Sequence, residues 1–252
     1  MRSLIPATGD LTTDEVDAAY AWPETPWLRV NMVETLDGAA QAPDGLSRGI
    51  ATAADARLFG VLRGRADVLL IGAGTLRAER YQPAAPKARY SEVRAKAGQR
   101  PAPVIAVVSR SLALDVSEAL FIEPVERPVV LTTASADPAA RRAVSEVADL
   151  IDCGEDEVDL NIALEELRAR GLTWLHCEGG PTLLAQLAAA DLVDEWCITL
   201  SPKLAGGSYP DGTSPGRMLT GVALPDVPRT LELNRVLEEA GTLFLSYLRK
   251  SS

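Results

Sequence analysis

Histidine is almost missing from this 252-residue chain: His176 is the only one. A histidine-rich metal site is therefore excluded, and a Ser–His–Asp triad would have to run on this residue, whose neighbours supply no such arrangement. His176 sits in the apolar stretch Leu172–Cys177, which predicts a structural, hydrogen-bonded histidine. Cysteine is scarce too. Cys153, Cys177 and Cys197 are odd in number, far apart and without a CxxC spacing. They indicate neither a disulfide framework nor a zinc site, so no metal is expected, and buried reduced thiols are. No apolar run approaches a membrane span, and Met1–Arg2 leads through Leu4-Ile5-Pro6 into polar residues rather than an apolar signal core. A cytoplasmic location is the expectation. Positive charge is in deficit, with 25 bases against 35 acids and a net charge of −10. Such a field repels nucleic acid and anionic lipid. A small anionic ligand is still compatible, because basic residues close to a site decide its local potential.

What is present is an ordinary globular composition, 47 % hydrophobic and 24 % charged. Thr12-x-x-Glu15 reads as a capping box for a short helix within an N-terminal extension, residues 1–26. The remainder, 27–252, alternates. Strands are expected at Leu28–Val33, Asp67–Ile71, Pro103–Val108, Pro128–Leu131, Leu172–Cys177 and Val193–Leu200. Helices are expected at Ala53–Arg65, Asp137–Val147, Asp159–Arg170 and Pro181–Ala190, and residues 82–102 read as a long surface connection, part helical. Thr230–Leu237 and Thr242–Arg249, around Glu238-Glu-Ala-Gly241, read as a β-hairpin. Alternation predicts an α/β fold: a mostly parallel central sheet flanked by helices, with a C-terminal antiparallel hairpin at its edge. No internal repeat or domain linker is visible.

Four motifs fall at the C-terminal ends of predicted strands, where open α/β sheets place ligands. Asp67-Val-Leu-Leu-Ile-Gly-Ala-Gly-Thr75 runs a strand into a glycine turn that could admit a phosphate, or could be a plain strand-to-helix turn. It lacks the third glycine of a Rossmann fingerprint. Glu178-Gly-Gly-Pro-Thr182-Leu opens a helix, with Pro181 suited to its first position and two glycines leaving the N-terminus uncovered. Asn31-Met-Val-Glu-Thr-Leu-Asp37-Gly38, followed by Gly45-Leu-Ser47, ends a strand in an Asp-Gly turn. Val108-Ser109-Arg110-Ser111 offers an arginine and two hydroxyls to a phosphate monoester, or a solvated loop.

In order and spacing these pieces, with Asp55 through Leu62-Arg63, resemble the C-terminal reductase domain of the bifunctional riboflavin-biosynthesis deaminase–reductase, in its stand-alone pyrimidine reductase branch. The resemblance covers roughly residues 27–207; the deaminase half and its zinc motif are absent. It implies a dihydrofolate reductase-like fold, an NADPH cofactor and a homodimer paired through the C-terminal hairpin. It also implies hydride transfer to 5-amino-6-(5-phosphoribosylamino)uracil or a close pyrimidine analogue. Gly72, Gly74 and Thr75 would meet the cofactor phosphates from one side and Gly179, Gly180, Thr182 and Leu183 from the other, with Ser109 and Arg110 on the 2′-phosphate. Asn31, Thr35, Ser47 and Glu79 would bind the substrate, and Asp37 and Glu178 would be the catalytic carboxyls. The chain departs from the family where Glu79-Arg80-Tyr81-Gln82 replaces an Asp-Asp-Pro run and where Thr35 replaces a serine. Reduction of dihydrofolate or another pterin on the same scaffold, and NADP binding without significant catalysis, are the alternatives.

Overall fold

A computed structural model describes residues 1–209, 211–225 and 228–250. The chain begins with β1 (Arg2–Ile5), β2 (Gly9–Asp10) and α1 (Thr13–Ala19), whose N-terminus carries the expected reciprocal Thr12–Glu15 cap. The alternating part follows as β3 (Trp27–Thr35), α2 (Ala53–Gly64), β4 (Val68–Gly72), α3 (Ala73–Glu79), α4 (Ala88–Lys96) and β5 (Val104–Val108). It continues through α5 (Ala119–Ile122), β6 (Val129–Thr132), α6 (Pro138–Val147), β7 (Asp149–Asp152), α7 (Leu160–Ala169), β8 (Trp174–Cys177), α8 (Pro181–Ala189) and β9 (Glu195–Ser201). The hairpin β10 (Leu231–Glu239) and β11 (Thr242–Arg249) closes the order. Its two-residue turn, Ala240-Gly241, has positive φ at both positions (52° and 79°), the twist that a tight hairpin needs.

Among the described residues the eleven strands form one sheet in the order β2-β1-β10-β11-β9-β3-β8-β4-β5-β6-β7. From β9 to β7 the pairs are parallel; from β9 through β11, β10 and β1 to β2 they are antiparallel. This is the expected mixed α/β sheet. Side chains of the central strands divide by the period of two. Leu70, Val104, Ala106 and Leu131 join a core under α7 and α8, while Leu69, Ile71, Ile105, Val107 and Val130 face a second core with Leu76, Phe121 and Val144.

Two expectations are corrected. The outer edge of the hairpin is covered only in part: β1 pairs with β10 along Arg2↔Glu238, Ser3↔Leu237 and Ile5↔Val236, and among the described residues Leu231–Arg235 has no partner strand on that side. Residues 1–26 are the material of that cover. They are held by Arg29, whose buried guanidinium bonds Glu195 (2.7 Å) and the Tyr20 carbonyl (3.0 Å) and stacks on Trp22 at 4.3 Å. The short strand β7 was also unforeseen: only Leu150 and Ile151 are apolar within it, too brief a signal for periodicity to register.

Candidate active site

Parallel strands point their C-terminal ends the same way, so Thr35, Gly72, Val108 and Cys177 end on one side of the sheet. The β4 and β8 loops are then locked together past the last strand residues: Glu178 N–H donates to Leu70 O (3.0 Å) and Gly72 N–H to Gly179 O (2.8 Å). Each loop opens a helix without a side-chain cap, α3 from Gly72 and α8 from Gly180. First-turn amides of a helix have no intrahelical acceptor, so two sets of donors converge on the seam between the loops. The seam is tight. A Cβ on Gly180 would lie 2.5 Å from Thr75 Oγ1, and one on Gly72 would lie 3.6 Å from Leu183 Cβ. Gly180 itself has φ −80°, open to any residue; the positive φ belongs to Gly179 (+88°), whose Cβ would also crowd Met32 Sδ at 3.1 Å. The Gly179–Gly180 peptide is cis.

The seam is one wall of a cavity of about 640 Å³. Of the residues expected at the site, Asn31, Ser47, Gly72, Gly74, Thr75, Glu79, Glu178, Gly180, Thr182 and Leu183 line it. Gly179 lies behind, buried. The opposite wall is one face of α2, where Asp55, Phe59 and Arg63 follow at intervals of four. Arg63 holds Glu178 through two bonds of 2.5 Å, donates to Tyr81 Oη (3.0 Å) and lies 4.2 Å above the Phe59 ring. Burial raises the pKa of Glu178, and Arg63 counteracts this. Burial likewise raises that of Asp55, which has only the Thr199 hydroxyl beside it. Glu79 accepts from the backbone and the hydroxyl of Ser47 (3.0 and 2.9 Å), so the segment that departs from the family pattern ties the 47–49 turn to α3. Arg48 and Arg80 stand at the cavity surface. Three arginines therefore offset the negative net charge locally.

Four expected site residues are elsewhere. Asp37 is exposed and does not line the cavity; its carboxylate accepts from Thr35 Oγ1 (2.5 Å), Ala205 N–H (3.1 Å) and Gly206 N–H (2.7 Å). These donors, the Thr35 hydroxyl first, lower its pKa to about 2, so it is a turn clamp and no proton donor near neutrality. Thr35 is the other half of that clamp, its hydroxyl also accepting from Ala39 N–H (3.0 Å). Ser109 Oγ accepts from Leu112 N–H (3.1 Å) and the exposed Arg110 pairs with Glu157; both sit one strand across from Gly72, outside the lining. His176 is fully buried, as expected, but neither ring nitrogen has a hydrogen-bond partner among the described residues. It lies 3.6 Å from Glu178, and burial together with Arg29 and Arg63 lowers its pKa, leaving it neutral. The three cysteines are free and buried. Arg63 and Phe59 fall in the family-like stretch Asp55 through Leu62-Arg63, which carried no site role; their spacing of four and eight from Asp55 was the available signal.

A glycine-lined seam opening into a cleft at the C-terminal ends of parallel strands is where open α/β sheets place their ligands. The RibD C-terminal domain family matches residues 26–236, and the chain belongs to it. It is 31 % identical over 182 residues (72 % of this chain, 83 % of the relative) to the 2,5-diamino-6-ribosylamino-4(3H)-pyrimidinone 5′-phosphate reductase of Archaeoglobus fulgidus. Among solved structures it is similar to a pyrimidine reductase-like protein of Corynebacterium diphtheriae (26 % identity, TM-score 0.82, covering 96 % of this chain and all of that one). It shares its fold with the deaminase/5-amino-6-(5-phosphoribosylamino)uracil reductase of Thermotoga maritima (19 %, TM-score 0.64), spanning 94 % of this chain and 60 % of that one. The protein is thus an oxidoreductase of the riboflavin-pathway reductase family, a family of nicotinamide-dependent enzymes. Among the described residues no helix is long and apolar enough to cross a membrane.

Proposed function

We propose that the chain reduces the ribosylamine of a phosphorylated pyrimidine to the ribityl form, using NADPH. One observation carries this reading: two uncapped helix N-termini meet at the Gly180–Thr75 contact and open onto a cavity large enough for a dinucleotide head and a pyrimidine. The amides of Thr75, Thr182 and Leu183 fit a pyrophosphate, because helix starts present donors and a positive dipole end to anions. When bound, the cofactor supplies a hydride for the sugar C1′. The protein's part is positioning. Arg63 fixes the Glu178 carboxyl toward the cavity, and Glu178, with its raised pKa, can hold a proton for the ring oxygen O4′ as the nitrogen lone pair opens the C1′–O4′ bond and leaves an iminium carbon for the hydride. Ser47 and Glu79 border the substrate, and Arg80, with Arg48 released from its exposed 3.8 Å pair with Asp44, supplies the cations for its 5′-phosphate.

Preference for NADPH over NADH is assigned to Ser109 and Arg110, one strand beyond the seam. A cytoplasmic homodimer completes the proposal; it is supported by the family resemblance and by the part of the β10 edge, Leu231–Arg235, that β1 does not cover. The test is NADPH oxidation against a panel of ribosylaminopyrimidine phosphates and pterins. Turnover confined to the pyrimidines supports the proposal, and turnover of pterins alone overturns it.

A further inference from the structure

Three acids line the cavity, and two are engaged. Glu178 holds Arg63, and Glu79 holds the Ser47 turn. Asp55 is the third. It is only 9 % exposed, it lies on the cavity face of α2, and no cation acts on it; a neutral hydroxyl, Thr199, is its neighbour. Thr52 Oγ1 accepts from Asp55 N–H at 3.1 Å, but the carboxyl does not return a bond to Thr52 N–H as Glu15 does to Thr12, so it is not engaged in capping. A desolvated carboxyl with nothing stronger than a neutral hydroxyl beside it is costly to ionise. Phe59, one turn along the same face, sets an aromatic edge beside it, and Asn31 on β3 also borders the cavity. The surroundings therefore suit a flat heterocycle that brings its own hydrogen-bond donors.

The two pyrimidines for which the relatives are named differ at this point. A 2-amino-4-oxopyrimidine presents N3–H and the 2-amino group side by side, two parallel donors that an ionised carboxylate accepts in fork geometry and that stabilise the charged form burial otherwise disfavours. A uracil presents N3–H beside the O2 carbonyl, and an oxygen facing a carboxylate is repelled. We propose that Asp55 is the specificity-determining residue of the pyrimidine subsite, and that it selects the 2-amino-4-oxopyrimidine ribosylamine over its uracil counterpart. This rests on the pyrimidine-reductase reading above.

The test uses the full chain and two variants. Asp55→Asn offers one acceptor and one donor, matching the uracil edge; Asp55→Ala offers neither. Two ratios are read for each protein: kcat/KM for the two ribosylamine phosphates, and calorimetric Kd for the bare bases 2,5,6-triamino-4-pyrimidinone and 5,6-diaminouracil. The native protein should favour the 2-amino compounds by at least about 10-fold, the gain expected of one charge-assisted hydrogen bond. Asp55→Asn should abolish or invert that ratio, and Asp55→Ala should flatten it, in samples with cooperative melts. Should the amide unfold the helix start, Asp55→Ser, a smaller polar residue without the carboxyl, must flatten the ratio too. Equal losses on both substrates, or a native preference for uracil, overturn the assignment. If neither phosphate is reduced while the bare bases still show a ratio that Asp55→Asn erases, the reductase reading fails and the role of Asp55 stands. If both are reduced with a ratio indifferent to residue 55, the reverse holds.

Discussion

Gly180→Ala separates a structural glycine from a cofactor-binding one. The backbone at Gly180 (φ −80°, ψ −169°) accepts alanine without strain, so the only obstacle is Thr75 Oγ1, 2.5 Å from the new Cβ. Overlap of that size costs about 1–3 kcal/mol as overpacking. It is offset by about 0.4–1 kcal/mol from the stiffer unfolded chain. The single variant should therefore lose roughly 0–2.5 kcal/mol of stability. Thr75→Ala removes the obstacle, since the next atom, Thr75 Cβ, is 3.9 Å away. In that background Gly180→Ala should be neutral or slightly stabilising, a coupling of about 1–3 kcal/mol in a double-mutant cycle. NADPH affinity should behave differently. If the seam holds the pyrophosphate, the added methyl occupies the cofactor's path, and its loss of affinity persists in the Thr75→Ala background. Urea melts and NADPH titration on the same four proteins give both cycles. Affinity restored together with stability would refute the phosphate cradle and leave a packing contact.

Three further outcomes are expected. Asp37 has its pKa lowered to about 2 from an ordinary 3.8, so the stability it lends is present above pH 4 and disappears as pH falls through about 2; Asp37→Asn should flatten that part of the acid melting profile without changing NADPH affinity, and an unchanged profile contradicts the clamp. Arg110→Ala should weaken NADPH by about 10- to 150-fold and leave NADH unchanged, whereas equal loss for both cofactors removes Arg110 from the 2′-phosphate; its exposed pair with Glu157 is too weak to hold it back. Sedimentation at micromolar concentration should show a dimer, and a monomer alone would rule out the paired assembly.

What the sequence disclosed was what is encoded locally. Buried strands, the Thr12–Glu15 cap, the hairpin turn and the two glycine loops each announce themselves within a few residues, and the strand–helix alternation places both loops on one side of the sheet. What stayed hidden depends on distant partners. Nothing in Arg2–Ile5 names β10 as its neighbour more than 200 residues on. Asp37 reads as a free carboxyl until Ala205 and Gly206 are folded against it. Arg63 acquires its meaning only from Glu178, 115 residues later. Gly180 is a reversal of the usual reading: its glycine is demanded by a side chain across the seam rather than by its own backbone angles.

The central claim is that this cleft passes a hydride from NADPH to the sugar of a ribosylaminopyrimidine phosphate. It is tested most directly by incubating the protein with NADPH deuterated at the nicotinamide C4 and examining the product by mass spectrometry. The account predicts one deuterium per product molecule, located at C1′ of a ribityl chain, from one of the two C4 positions only. Cofactor oxidation without deuterium in the pyrimidine product, or no oxidation in the presence of either pyrimidine, would contradict it.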